Sequence, residues 1–281
     1  MNYPSSTFGN IIRRAIPRSV RNWLRSPSRS TEWLLDSMFF SLGQTRRLSV
    51  APQFELICHP HFYKVVRQAQ IEDPQQSEEF RNFISFCSQK TFLFDIGAHF
   101  GVFSLAVAHF GGTAIAADPS PTATRMMHIE AALNHWQEKI RILQTAVSDR
   151  DGEMGLLSSG AFSEGYYKVA SGRLPTELTN TQATTIDRMA SKYGIPTHLK
   201  IDVEGHEAAV LKGARNTLMG FRPMIFLELH NEMVQTEGGD PKAPLALLDE
   251  VGYDTFDLSG ERIERSDIIK PPIIRIIARP N

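Results

Sequence analysis

Short apolar runs recur along the chain from residue 91 onward, and segments with helical spacing of their apolar positions separate them. The runs predict seven core strands at residues 91–94, 113–118, 140–147, 198–203, 223–229, 253–258 and 273–278, with an extra strand at 153–158. The spacing predicts helices at 102–110, 121–136, 185–193, 204–219 and 244–251. Strands that alternate with helices in this way predict an α/β fold with a doubly wound, mostly parallel sheet.

The first third of the chain has a different pattern. Residues 1–30 are rich in serine, arginine and proline and predict a basic, mobile tail. Residues 31–89 predict a mainly helical extension that packs on the core, which itself occupies residues 90–281. Within the extension we expect a first helix, an extended segment near 54–58, and helices at 61–70 and 77–87.

A long irregular stretch is predicted at residues 159–182, which are rich in glycine, serine and threonine. Loops of this length inside a compact domain are usually functional. Because the aromatic residues Phe162, Tyr166 and Tyr167 lie in it, we expect this loop to contact the substrate together with the N-terminal segment.

The net charge of −1 is unevenly distributed. The first 50 residues hold eight arginines and two acidic residues, whereas the remaining 231 residues hold 22 basic and 29 acidic side chains. An acidic main domain argues against nucleic acid as the principal partner, because nucleic-acid binding depends on clustered basic residues. The basic N-terminus allows a weak contact with an anionic membrane surface, as an alternative to a free tail.

Cysteine usage and hydropathy indicate the compartment. Cys58 and Cys87 lack the spacing of metal or redox motifs, so we expect free thiols in a cytoplasmic protein. No apolar run approaches the length of a membrane-spanning helix, and the pattern of a secretory signal is absent. Nothing in the sequence indicates an oligomeric state.

The first predicted strand leads into a glycine turn with the pattern D-x-G-x-x-x-G, formed by Asp95, Gly97 and Gly101. A strand, a glycine turn and a helix form the half-unit that binds nucleotide-like ligands in open α/β sheets. The dinucleotide fingerprint G-x-G-x-x-G places a pyrophosphate on the helix N-terminus. A carboxylate in its place suits a ligand with an ammonium group, such as S-adenosylmethionine. The alternative is an ordinary buried turn between strand and helix.

Polar residues follow nearly every predicted strand. They are Asp95, Asp118, Ser148 with Asp149, Asp202 with Glu204, and Glu228 with His230. A single acid at such a position can simply cap the next helix, but five in series predict a polar rim at the sheet edge where ligands bind. Asp118 lies where a carboxylate can bind both hydroxyls of a ribose, which does not distinguish S-adenosylmethionine from NAD.

This set of motifs resembles the FkbM-type methyltransferases. The similar segments are residues 95–101 (D-I-G-A-H-F-G), 117–121 (A-D-P-S-P), 146–149 (A-V-S-D), 199–207 (L-K-I-D-V-E-G-H-E) and 228–230 (E-L-H), and the resemblance covers roughly residues 90–258. The K-I-D-V-E-G-x-E block is the most specific. His99 replaces the commoner asparagine and Asp118 the commoner glutamate, but both can still form hydrogen bonds.

The resemblance implies a class I, Rossmann-like enzyme that uses S-adenosylmethionine, in a family that often methylates hydroxyls of sugars, polyketides or lipid-linked glycans. It implies that Asp95, Gly97, Ala98, His99 and Gly101 hold the methionine end of the cofactor. Asp118 would hold the ribose, and Ser148 or Asp149 would lie near the adenine. Asp202, Glu204, Glu228 and His230 would face the methyl group and the acceptor.

Methyl transfer to a hydroxyl needs a base that removes the proton. We expect Asp202 in this role slightly ahead of Glu228, with His230 as a further candidate, and we expect His206 to be a surface residue at a helix start. In an alternative arrangement Asp202, Glu228 and His230 bind a divalent metal that orients a vicinal diol.

Two other functions stay open at this point. A nicotinamide-dependent oxidoreductase would share the fold but lacks the dinucleotide fingerprint. A non-catalytic binding protein could retain the cofactor pocket, although the acids at all five strand ends argue against it. The sequence does not identify the methyl acceptor beyond a small-molecule or glycan hydroxyl, and protein or nucleic acid as acceptor is unsupported.

Overall fold

A computed structural model describes residues 29–51, 53–158, 167–169 and 178–281. The predicted tail at 1–30 lies outside the described residues except for its last two positions, and so does most of the aromatic segment 162–167. In the part of the chain that the structure describes, no helix has both the length and the apolar character needed to cross a membrane. Both cysteines are free thiols, as predicted.

The described elements have the following bounds. The strands are β1 (Arg46–Ala51), β2 (Phe54–Cys58), β3 (Phe92–Ile96), β4 (Thr113–Asp118), β5 (Ile140–Gln144), β6 (Ala146–Val147), β7 (Gly152–Ser158), β8 (Tyr167–Val169), β9 (Leu178–Thr184), β10 (His198–Ile201), β11 (Met224–Leu229), β12 (Tyr253–Phe256) and β13 (Ile274–Pro280). The α-helices are α1 (Arg29–Ser41), α2 (Pro60–Arg67), α3 (Pro74–Ser85), α4 (Val102–His109), α5 (Pro121–Leu133), α6 (Ile186–Tyr193), α7 (Glu207–Lys212), α8 (Arg215–Phe221), α9 (Asn231–Thr236), α10 (Ala243–Glu250) and α11 (Arg265–Ile268).

The predicted fold class is confirmed. The main sheet has seven strands in the order β12-β13-β11-β10-β3-β4-β5, and β13 runs in the direction opposite to the other six. Consecutive residues of a strand point to opposite faces, so Leu93 joins the hydrophobic cluster on one face of the sheet and Phe94 the cluster on the other. Helices cover both faces, which explains why the core strands read as continuous apolar runs.

The extension packs on one face of this sheet. Phe62 of α2 and Phe80 and Phe83 of α3 belong to the same buried cluster as Leu93 and Phe103. The segment near 54–58 is one strand of an antiparallel hairpin, since β1 pairs with β2. The strand β1 was not predicted. The domain boundary near residue 90 stays a prediction.

Two predicted segments are wrong in their bounds. The run 140–147 divides at Thr145, after which β6 leaves the main sheet and pairs with β9. The stretch 178–182, predicted to be irregular, belongs to β9, which pairs with β7 in a second, four-stranded sheet. Satisfied backbone hydrogen bonds with β7 outweigh the weak strand propensity of this polar segment.

The helix predicted at 204–219 is also wrong, because it is two helices. Glu204 and Gly205 have φ of +52° and +94°, so α7 begins only at Glu207. The carboxylate of Asp187 accepts hydrogen bonds from the backbone N–H groups of Asn216 and Thr217, which starts α8 as a separate helix.

Candidate active site

The strand order reverses between β3 and β10, which is where ligands bind in doubly wound sheets. A cavity opens there at the carboxyl ends of the strands, and we call it the central cleft. Nine of the twelve predicted site residues line it: Asp95, Gly97, Ala98, His99, Gly101, Asp118, Asp202, Glu204 and Glu228.

The glycine turn (residues 97–101) lies against the end of β10. Gly97 has a φ of +75°, and a Cβ atom on it would overlap the carbonyl oxygen of Asp202. The N–H groups of Gly97 and Ala98 both donate to the carbonyl oxygen of Ala117, at 2.9 and 3.1 Å. Glycine is therefore required by the approach of two backbone segments, a reason that the sequence pattern alone did not reveal.

Asp118 joins the end of β4 to the glycine turn. Its Oδ2 accepts a hydrogen bond from the backbone N–H of His99 at 2.8 Å, and its Oδ1 accepts one from Ser120 at 2.8 Å. Burial raises the pKa of Asp118 to about 7. Each carboxylate oxygen can accept more than one hydrogen bond, so Asp118 retains acceptor capacity toward the cleft.

Asp95 both lines the central cleft and contacts the first turn of the helix that follows the glycine turn. It lines the central cleft, yet its Oδ2 accepts hydrogen bonds from the backbone N–H and the hydroxyl of Ser104, at 3.1 and 2.7 Å. It thereby caps α4, whose N-cap residue is the side-chain-free Gly101. Burial raises the pKa of Asp95 to about 6.

The predicted catalytic residues meet at the ends of β10 and β11. His230 Nε2 lies 3.9 Å from an oxygen of Asp202, 3.5 Å from one of Glu204 and 3.7 Å from one of Glu228. The side chain of Asp202 is 33% exposed, whereas Glu228 and His230 are buried. Asp202 is therefore the member of this group most open to a molecule in the cleft.

The other ring nitrogen of His230 contacts Glu207 of α7. Its Nδ1 lies 2.8 Å from Oε1 of Glu207, and the same oxygen accepts a hydrogen bond from the backbone N–H of Gly205 at 2.9 Å. Burial lowers the pKa of His230, but the hydrogen bond to Glu207 and the surrounding carboxylates outweigh it and raise the pKa to about 9. Glu207 lay in the predicted motif, but its role as partner of His230 was missed.

A comparison with known families identifies the family of this chain. The model of the family described as "Methyltransferase FkbM domain" matches residues 95–255, more than half of the chain. The chain belongs to the FkbM methyltransferase family. The match contains the glycine turn, Asp118 and all four predicted catalytic residues, so the resemblance to this family is confirmed. No curated protein matches the sequence.

Solved structures similar to this FkbM-family chain are distant. A methyltransferase FkbM from Methylobacillus flagellatus KT has 14% identity and a TM-score of 0.46, over 68% of this chain and 44% of that one. A precorrin-6y C5,15-methyltransferase from Geobacter metallireducens GS-15 has 11% identity and a TM-score of 0.43, over 75% and 93% of the two chains. A TehB-like SAM-dependent methyltransferase from Corynebacterium glutamicum ATCC 13032 Kitasato has 10% identity and a TM-score of 0.42, over 78% and 94%.

This chain therefore covers less than half of the Methylobacillus flagellatus KT protein. At these identities and scores the likenesses carry no argument about activity. Membership of the FkbM family rests on the family model.

A buried ion-pair network supports the acids of this FkbM-family site, and the sequence analysis missed it. Lys200 of β10 lies 3.0 Å from Glu79 and 3.8 Å from Glu228. Arg275 of β13 binds both carboxylate oxygens of Glu228, at 2.7 and 3.1 Å, and lies 3.2 Å from Glu79. Burial lowers the pKa of Lys200, but the surrounding carboxylates, with Glu79 first, raise it above its ordinary range.

Ser148 and Asp149 lie beside the central cleft, not among the described residues that line it. The hydroxyl of Ser148 lies 2.9 Å from His206 Nε2, and Asp149 accepts a hydrogen bond from Lys212 at 3.1 Å. Their predicted contact with the adenine stays a prediction. His206 lies at a helix start, as predicted, since it is the N-cap residue of α7; it is partly buried and lines the cleft.

Asp202, Glu228 and His230 also have the arrangement of a metal-binding triad. One ligating atom of each lies within 4.8 Å of the others. Carboxylate and imidazole ligands suit several divalent cations. In this FkbM-family chain, however, both oxygens of Glu228 are already bound by Arg275, which a metal would have to displace.

Proposed function

We propose that this chain is an S-adenosylmethionine-dependent O-methyltransferase that acts on a hydroxyl of a sugar, a glycan or a related small molecule. The observation that carries the proposal is the group of Asp202, Glu228 and His230 at the ends of β10 and β11, next to the glycine turn of the central cleft. In this arrangement the carboxylate of Asp202 would lie beside the position that a cofactor would take in a doubly wound sheet and could accept a proton there.

The charges of the cleft fit this cofactor. Five carboxylates line it, whereas its Lys and Arg side chains among the described residues are Lys200 and Arg275, which are already paired with acids. An acidic cleft favours a ligand that carries an ammonium and a sulfonium group and disfavours a diphosphate. Asp95 would hold the ammonium group and Asp118 the ribose hydroxyls. The same charges argue against a nicotinamide dinucleotide as the ligand.

The geometry favours Asp202 over Glu228 as the base. Arg275 binds both oxygens of Glu228, whereas Asp202 is partly exposed in the cleft. When bound, the cofactor supplies an electrophilic methyl group. Asp202 would take the proton of the acceptor hydroxyl as its oxygen attacks that group in line, and it would then release the proton to solvent. Protonated His230, held by Glu207, would keep the carboxylate of Asp202 in position.

Binding and turnover test the cofactor and the acceptor separately. Isothermal titration with S-adenosylmethionine and with NADH should show binding of the former and none of the latter. Release of S-adenosylhomocysteine should then be measured with a panel of methyl glycosides, free sugars and nucleotide sugars. A chain that binds NADH in preference refutes the proposal, and one that binds the cofactor but methylates no hydroxyl compound refutes its acceptor class.

The Asp202→Asn variant tests the base. We expect turnover to fall at least about a hundredfold, because a positioned base contributes on that order, while cofactor affinity stays at the wild-type value. Glu232→Gln, an exposed acid two residues after His230, is the matched control and should leave turnover unchanged. A mild loss in Asp202→Asn would assign proton removal to another group.

A further inference from the structure

A π-helical turn, Gln68–Glu72, joins α2 to α3 and borders the central cleft. Its residues Ala69 and Gln70 line the cleft, together with Val65 and Val66 of α2 and Gln76 of α3. Single π-helical turns are uncommon and occur frequently at functional sites. This wall comes from the extension, outside the residues that match the family model.

Gln70 has an unsatisfied hydrogen-bonding group on this wall. The residue is 7% exposed, and among the described residues no group donates a hydrogen bond to its Oε1. Its Nε2 makes one long contact of 3.5 Å with Oε1 of Gln76. A buried amide oxygen without a donor costs free energy. Rotation of the Gln70 carboxamide toward the cleft would therefore give this oxygen a partner when a ligand brings a donor there.

We propose that Gln70, with Gln76 beside it, forms an acceptor subsite that binds a hydroxyl of a pyranose next to the hydroxyl that is methylated. The proposal rests on the proposed function, since it names what the methyl acceptor presents to this wall. The carboxamide oxygen of Gln70, turned toward the cleft, accepts a hydrogen bond from one sugar hydroxyl, and the carboxamide N–H of Gln76 donates to the same hydroxyl or its neighbour.

The other lining residues fit a sugar ring. Val65, Val66 and Ala69 contribute apolar surface to the cleft that the two glutamines line, and so do Met154 and Leu156 of β7. A pyranose has apolar C–H faces and a rim of hydroxyls, so it uses both kinds of surface. A purely apolar acceptor would leave Gln70 unpaired, and a site with an unpaired polar group discriminates against such a ligand.

The test compares Gln70→Leu with the control Gln68→Leu, which changes an exposed residue of the same turn. The substrate is the methyl glycoside with the highest turnover in the panel. We expect the acceptor KM of Gln70→Leu to rise about tenfold to a hundredfold, because one buried hydrogen bond is lost. Cofactor affinity and the acceptor KM of Gln68→Leu should stay at wild-type values.

Monodeoxy analogues of that glycoside supply the second measurement. With the wild-type chain, one analogue should have a higher KM than the parent glycoside. With Gln70→Leu or the nearly isosteric Gln70→Met, that analogue and the parent glycoside should have the same KM, because the hydrogen bond is already absent in the variant. If the wild-type chain binds no S-adenosylmethionine or methylates no glycoside, the proposed function and this inference fail together. If both Gln70 variants turn over the glycoside with the wild-type acceptor KM, the inference is overturned and the proposed function is not.

Discussion

The protonation of His230 depends on one residue beneath it. Glu207 both accepts a hydrogen bond from Nδ1 and adds negative charge, and these effects outweigh burial and raise the pKa to about 9. We expect Glu207→Gln to lower the pKa of His230 toward its ordinary value of 6.5, by about one unit or more. Titration of the imidazole resonances by NMR measures this.

The titration of His198 is the internal control, because this residue lies at the opposite end of β10 and burial alone shifts its pKa. In Glu207→Gln the pH–rate profile should lose its step near pH 9 and gain one nearer neutrality. A pKa of His230 that stays near 9 would mean that the carboxylates in the cleft, not Glu207, set it.

Under the proposed function, the ionisation of Asp118 should couple cofactor binding to pH. Its pKa in the folded chain is about 7, against an ordinary value of 3.8, so between these values the folded chain binds the extra proton. The folded state without ligand therefore loses stability as pH rises from about 4 to about 7. A ligand that needs the carboxylate gains affinity over the upper part of the same range.

We therefore expect the affinity for S-adenosylhomocysteine to rise between about pH 5 and pH 8 by ligand linkage, by about a hundredfold from Asp118 and by about a further tenfold from Asp95. Isothermal titration across this range measures the dependence. Asp118→Asn should bind more weakly, and the part of the dependence near pH 7 should disappear; the part near pH 6, which belongs to Asp95, should remain. A pH-independent wild-type affinity would show that neither acid contacts the ligand.

At the scale of elements, the contact between the glycine turn and the end of β10 determines the shape of the cleft. Gly97 and Gly43 have nearly the same backbone conformation, with φ of +75° and +78°. A Cβ atom on Gly97 would overlap the backbone of Asp202, whereas one on Gly43 would meet nothing within 4 Å. Alanine substitutions at the two positions therefore separate the energetic cost of backbone strain from the cost of the close contact.

We expect Gly43→Ala to lower the free energy of unfolding by about 1 kcal/mol, the cost of an alanine at positive φ. Gly97→Ala should lower it by more than about 3 kcal/mol, because β3 and β10 must also separate. Urea unfolding measures both. Equal losses in the two variants would show that the turn can move away from β10 without cost.

The elements that the sequence predicted well are those whose signal is local. The apolar runs of β3, β4 and β11 end at the acids that line the cleft, so the pattern indicated Asp95, Asp118 and Glu228. The residues that the sequence analysis missed depend on register. Arg275 faces Glu228 only because β13 runs antiparallel to β11 with these two residues paired. No spacing along the chain indicates that partnership.

At the scale of the whole molecule, the same network joins the extension to the core. Glu79 of α3 is buried and lies 3.0 Å from Lys200 of β10 and 3.2 Å from Arg275 of β13. Both cations also contact Glu228. The extension thus contributes the negative charge of Glu79, which pairs with Lys200 and Arg275 beneath the cleft, in addition to the apolar packing of α3.

We expect Glu79→Gln to lower the free energy of unfolding by about 2–4 kcal/mol, because removing one partner leaves buried cations incompletely paired. Its exposed neighbour supplies the matched control, and Glu78→Gln should change stability by less than about 0.5 kcal/mol. Chemical unfolding followed by circular dichroism measures both variants. A Glu79→Gln chain as stable as the control would mean that apolar packing alone holds the extension on the sheet. The predicted loss instead makes the extension part of the electrostatic support of Glu228, because the charge of Glu79 helps to hold Arg275 against it.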